Sequence, residues 1–291
     1  MVKKLERAKP LLESLFESSR VRAYKRQDLT HLLASLRKER TVPDNLTFTK
    51  FLQFLFDETP LRPVKLVSEH YETTEIRYVW GNPSPYSVAL SLRKGSYLSH
   101  GSAVFLHGLN DQIPKTIYVN YEQSAKPQRG TLTQEGIDRA FSNKQRRSNL
   151  IFDYAEYEIM ILSGKFTGRL EVSPLSISET ETVDVTRIER ALIDITVRPT
   201  YAGGIFQVLE AFKRAKDKIS VNTLVATLKK LHYLYPYHQA IGFYMERAGY
   251  PENQWAKLQR LGLPFDFYLA HQLPANKKYD PKWRLYYPSG L

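Results

Sequence analysis

Cysteine is absent from the 291 residues. That excludes disulfides, thiolate metal sites and cysteine nucleophiles. No apolar run comes near the ~18 residues that suggest a membrane span, so no membrane partner is expected. The basic start, Met1-Val2-Lys3-Lys4-Leu5-Glu6-Arg7, has no apolar stretch behind it. It predicts no signal peptide and a cytoplasmic protein. No Gly-rich nucleotide fingerprint and no Ser/His/Asp order stands out. Acidic residues are the scarcer charge, 30 Asp and Glu against 42 Lys and Arg.

What is present fits a globular chain. Hydrophobic residues make up 42% and charged residues 25%, which excludes wholesale disorder. The 19 Tyr and 14 Phe can fill a sizeable core. At roughly 100–200 residues per domain, two domains are expected. The net charge of +12 favours a polyanionic partner. The charge is uneven: +4 over residues 1–60, zero over 61–80, +5 over 81–150, −4 over 151–200 and +7 over 201–291. The acidic stretch argues against one nucleic-acid groove along the whole chain. A solvated face is the plain reading of any charge run.

In the first eighty residues, Leu5, Leu11, Leu12, Leu15 and Phe16 recur at helical spacing, predicting a helix over 4–18 with a kink at Pro10. A second helix is expected over 26–39. A third starts near Thr47, with Phe48, Phe51, Leu52 and Leu55 on one stripe. After Pro60, alternation predicts two strands around Val64–Leu66 and Ile76–Trp80. Three helices and a hairpin match the order of a winged helix-turn-helix, whose third helix enters the major groove. On that reading Thr49, Lys50 and Gln53 face the bases, and Arg37, Lys38 and Arg40 hold phosphates. The alternative is a small helical packing domain. Glu69 and Glu72 in the expected wing are awkward beside phosphate.

Further on, Ser84–Leu92 reads as a short helix or turn. Ser99 reads as the cap of a helix closed by Gly108, and Ile113–Asn120 as a turn leading into a strand. The run "YLSHGSAVFLHGLNDQIPKTIYVN" (97–120) resembles the signature segment of the AbiEi antitoxins, from type IV abortive-infection toxin–antitoxin systems. "VDVTRIERALIDITVRP" (183–199), "AIGFYMERAG" (240–249) and "YDPKWRLYYP" (279–288) are similar to later segments of that family, in the same order. The long basic stretch 121–149 departs from the pattern. The resemblance implies an N-terminal module that binds operator DNA and represses its own operon. It also implies a C-terminal domain that carries the antitoxin activity. The toxin opposed would resemble a nucleotidyltransferase, with no stable complex required.

Catalytic signals are weak. His100 and His107 lie seven residues apart, whereas metal ligands on a helix more often sit at i, i+4, so capping or packing is the favoured role. Glu189, Arg190 and Asp194 suggest an internal ion-pair network. Asp153, Glu156, Glu158 and Glu171 invite a nuclease reading, but the lysine expected beside Glu171 is missing. Gly203-Gly204 reads as a turn. No catalytic residue, no metal site and no cofactor is expected, and the chain is read as a non-enzyme.

Residues about 205–262 read as a series of amphipathic helices. Lys213, Arg214, Lys229 and Lys230 cluster at helix ends, either as favourable helix-dipole partners or as a second phosphate-binding surface. Phe265–Leu269 and Trp283–Tyr287 read as a closing strand pair. The expected architecture is α+β: a winged helix-turn-helix over 1–80, then a larger α/β domain over 81–291. The expected partners are operator DNA and the toxin. The alternative is a non-enzymatic subunit of an antiviral defence module that docks a protein through helix three or the basic 121–149 stretch.

Overall fold

The computed structural model describes residues 2–127 and 130–291. Helix α1 (Val2–Ser18) contains Pro10 without ending there. Its core stripe is Leu5, Ala8, Leu12 and Phe16. Leu11 and Leu15 instead face solvent, 43% and 42% exposed. Strand β1 (Ala23–Tyr24) leads to α2 (Arg26–Lys38) and α3 (Phe48–Glu58). The Thr47 side chain caps α3 by accepting from Lys50 N, satisfying one of the orphan donors of its first turn. Phe51 and Leu55 bury the inner face of α3 against α1 and α2.

Strands β2 (Leu61–Ser68) and β3 (Thr73–Trp80) form an antiparallel hairpin, and β1 pairs with β3. Strand period 2 gives this hairpin two buried faces. Leu61, Tyr78 and Trp80 pack on the three helices, with Trp80 stacked on Phe16 at 4.6 Å. Leu66 and Val79 face the opposite way, into a central core. The first eighty residues therefore join the rest of the chain through a shared core rather than a linker.

The chain continues through α4 (Pro85–Leu90), β4 (Tyr97–Leu98), α5 (His100–Leu106) and β5 (Thr116–Glu122). Ser84 caps α4 as its position suggests. Ser99 precedes α5, but its hydroxyl pairs with His100 Nδ1 at 2.9 Å and makes no cap bond. The basic 121–149 stretch contains helix α6 (Gln134–Ser142), whose Ile137 and Phe141 are core residues. Next come the hairpin β6 (Ile151–Tyr154) and β7 (Tyr157–Gly164), then β8 (Val172–Ser176) and β9 (Thr182–Thr186). Strands β1 to β9 form one nine-stranded mixed sheet in the order β1-β3-β2-β6-β7-β5-β4-β9-β8.

This sheet curls around α4. Val88, Ala89 and Leu92 share one core with residues from both ends of the sheet, Ala23 and Val79 at one and Val183 and Val185 at the other. The two ends are clasped: Arg22 Nη2 donates to Thr180 O at 3.0 Å. Ser84 N and Ser87 Oγ donate to the Glu181 carboxylate at 2.8 and 2.5 Å.

A helical layer covers the remaining side. It comprises α7 (Ile188–Val197), a 3-10 turn at Pro199–Ala202, α8 (Ile205–Ala215), α9 (Val221–Leu231), α10 (Tyr237–Arg247) and α11 (Glu252–Gln259). Gly203 and Gly204, with φ of +82° and +97°, make the turn into α8. A small sheet closes the chain: β10 (Phe267–Tyr268) runs parallel to β12 (Leu285–Tyr287), with β11 (Lys278–Asp280) antiparallel on its other side. The expected strand pair is thus present with a third strand added. The architecture is α+β.

Candidate nucleic-acid interface and cationic cleft

Thr49, Lys50 and Gln53 are exposed on one face of α3, opposite buried Phe51 and Leu55. Asp57 continues that row, and Gln53 Nε2 donates to its two carboxylate oxygens at 2.8 and 3.0 Å. The amide that would read adenine is therefore already paired within the helix. Lys38 and Arg40 are exposed where α2 ends. Arg37 is different: it is half-buried, its Nη2 donates to Leu46 O, and its Nε is buried without a partner. It braces the α2–α3 connection through that bond. The β2–β3 turn presents Glu69, His70, Tyr71 and Glu72 to solvent.

The lysines and arginines of the helical layer do not share one environment. Arg214 pairs with Asp111 at 2.6 Å and Glu210 at 3.2 Å, and Lys213 pairs with Glu210 at 3.6 Å. Lys229 and Lys230 are exposed in the last turn of α9. The C-terminus of that helix is held by Lys165 Nζ, which donates to Leu231 O at 2.8 Å and His232 O at 2.7 Å.

Lys165 also lines a cleft of about 820 Å³ between the sheet and the helical layer. The β5–α6 connection contributes Lys126, and the α6–β6 connection contributes Arg146 and Arg147. Arg198 follows α7, Tyr233 and Tyr235 come from the α9–α10 turn, and Tyr237 opens α10. At the base lies the ion pair of Arg190 and Asp194. Burial pulls the Arg190 guanidinium toward neutrality, but Asp194 outweighs it and keeps the cation charged. Desolvation lowers the Lys165 ammonium below its ordinary value. Burial lowers His100, also in the lining, to about 4, so its ring is neutral at physiological pH. The Tyr233 and Tyr237 phenols are pushed up by burial and stay protonated.

Sequence reasoning missed this cleft as a site. Its one signal was the basic 121–149 stretch, which supplies Lys126, Arg146 and Arg147.

The two histidines diverge. His107 Nε2 lies 2.7 Å from Thr186 O, while His100 faces Ser99 and Tyr201. Glu189 Oε1 accepts from Ser220 N at 3.0 Å, so it ties α7 to the start of α9 and pairs with neither Arg187 nor Arg190. Of the carboxylates that invited a nuclease reading, Asp153 and Glu158 are register partners across the β6–β7 hairpin, with Glu156 in its turn, and Glu171 pairs with Arg187 at 3.6 Å. Among the described residues, no group of three or more His, Asp or Glu could hold a metal ion. No described helix is long and apolar enough to cross a membrane.

No protein-family profile matches the chain, and no curated protein matches it. The fold is similar to the crystal structure of the RV2827C protein from Mycobacterium tuberculosis. The TM-score is 0.55 at 14% identity, covering 96% of this chain and 90% of that one. At that identity the likeness concerns the fold alone.

Proposed function

We propose that the chain is a DNA-binding antitoxin that represses its own operon, as its resemblance to the AbiEi antitoxins implies. On this reading residues 1–80 form a winged helix-turn-helix that contacts the operator, and residues 81–291 carry the activity that opposes a nucleotidyltransferase-like toxin. The chain acts in the cytoplasm and by binding rather than catalysis.

The observation that carries the reading is the outward face of α3. Thr49, Lys50 and Gln53 stand there in one exposed row on a helix whose other face is locked by Phe51 and Leu55. The placement of β1 between α1 and α2, paired to β3, supports a winged arrangement around it. The acidic turn of the hairpin stands off phosphate, which leaves α3 as the contacting element.

The test is fluorescence anisotropy on the chain's own upstream duplex and on a scrambled duplex, at two salt concentrations. Tight, sequence-dependent binding that falls steeply with salt is expected. Equal affinity for both duplexes would remove the autorepressor. A second reading, a protein-docking subunit of a defence module, draws on exposed Leu11 and Leu15, one turn apart on α1. A stable co-purifying partner together with no salt-sensitive DNA affinity would select it.

A further inference from the structure

Duplex binding through α3 leaves the cationic cleft without a role. Among the described residues, no carboxylate lies within 4.0 Å of the charged groups of Lys126, Arg146, Arg147, Lys165 or Arg198. The single acid in the lining, Asp194, is committed to Arg190 at 2.7 Å. Five like charges around one concavity repel each other, and an anion in the cleft relieves that repulsion.

A second concavity of about 720 Å³ adjoins the first, with Gln123, Lys126 and Ser163 lining both. It adds Lys94, Tyr121, Phe166 and Arg169 to the lining, and one acid, Glu122, whose carboxylate is taken up by the Thr167 and Arg169 backbone N–H groups at 3.0 and 3.2 Å. Tyr121 and Phe166 are 44% and 50% exposed, which leaves much of both apolar rings in water. A basic track beside open aromatic rings is the arrangement that binds unpaired nucleotides: cations follow the phosphates and rings stack on bases.

We propose that this groove binds a single strand of nucleic acid. Its phosphates lie along Lys126, Arg146, Arg147, Lys165 and Arg198, and its bases stack on Tyr121 and Phe166. A duplex keeps its bases inside and has none to offer those rings. An acidic peptide would match the charge but not the rings, and a flat membrane surface cannot enter a concavity. Each cavity has the size of a small-molecule pocket, so the pair suits consecutive nucleotides of one strand. The site lies outside residues 1–80 and stands whether or not α3 reads an operator.

The experiment is anisotropy of a labelled single strand of about eight mixed nucleotides, as DNA and as RNA, with the full chain. It is run on the unmutated protein, on Arg146→Glu with Arg147→Glu, on Tyr121→Ala with Phe166→Ala, and on Lys50→Ala. All four residues changed in the groove are exposed, and a thermal melt of each variant checks that it folds. Saturable, salt-sensitive binding is expected. It should weaken roughly tenfold or more in each groove variant and stay unchanged in Lys50→Ala. The proposal is overturned by no saturable binding, by binding that survives both groove variants, or by AMP competing as well as the strand. Operator affinity measured on the same samples keeps failure of this site distinct from failure of the α3 reading.

Discussion

Arg190 Nε donates to Asp194 Oδ1 at 2.7 Å, one helical turn along α7, with each side chain only 5% exposed. A second arm of the guanidinium donates to Leu170 O at 3.1 Å. Removing one partner of such a pair strands a charge away from water. Asp194→Ala is expected to lower unfolding free energy by about 3–5 kcal/mol. Replacing both partners by apolar residues of similar volume should recover most of that loss. Urea unfolding of the two variants measures both. A single-variant loss under about 1 kcal/mol would show that the buried charge finds other solvation.

Gly242 lies against Trp283, a fully buried residue. A Cβ at Gly242 would stand 2.1 and 2.2 Å from two carbons of the indole ring. Gly242→Ala therefore forces α10 away from the terminal sheet and is expected to cost about 1–3 kcal/mol or more. A thermal melt reads this as a lower Tm. An unchanged Tm would contradict this packing.

His100 sets an acid limit on stability. Burial lowers its pKa from 6.5 to about 4. Between those values the unfolded chain binds a proton that the folded chain does not. The contribution is therefore complete above about pH 6.5 and is lost as pH falls toward 4, by about 3 kcal/mol. His100→Gln should flatten stability against pH in that window. Parallel pH curves for the two proteins would contradict the shift.

On α3, Lys50→Ala should weaken binding to every duplex alike and reduce the salt slope by about one. Gln53→Ala should relax sequence preference by about 1–3 kcal/mol. Asp57→Asn should strengthen binding to all duplexes, because it removes a carboxylate from the contacting row and loosens its hold on Gln53. Anisotropy on operator and scrambled duplexes separates the three. Loss of Gln53 without any change in the ratio of the two affinities would assign the base contacts elsewhere.

The helices were the legible part of the sequence. The Thr47 cap with Phe51 and Leu55, and the Ser220 cap ahead of Val221–Leu231, are local signals, and local signals set helix ends. Helix α6 was less visible because its buried face is only Ile137 and Phe141 in an otherwise polar stretch. Leu11 and Leu15 share the helical spacing of the core stripe yet face solvent, because periodicity finds a face but not what covers it. The nine-stranded order could not be read, since β5 pairs with β7 and β4 with β9 across intervening elements. The cleft was hidden for the same reason. Lys126, Lys165, Arg198 and Tyr235 meet only after the sheet and the helical layer have packed.

The clasp between Arg22 and Thr180, with Glu181 beneath α4, also has a consequence in time. A ribosome releases residues 1–80 roughly a hundred residues before it supplies Thr180 and Glu181. At ~5–20 residues per second, that interval is about 5–20 s. Through it the nascent hairpin has its helical side covered while Leu66 and Val79 wait for a core that does not yet exist. An apolar strand face left open for seconds is a natural landing place for a chaperone, and for another nascent chain. Growth conditions that slow translation between residues 80 and 181 should therefore lower the yield of folded protein more than slowing after residue 181.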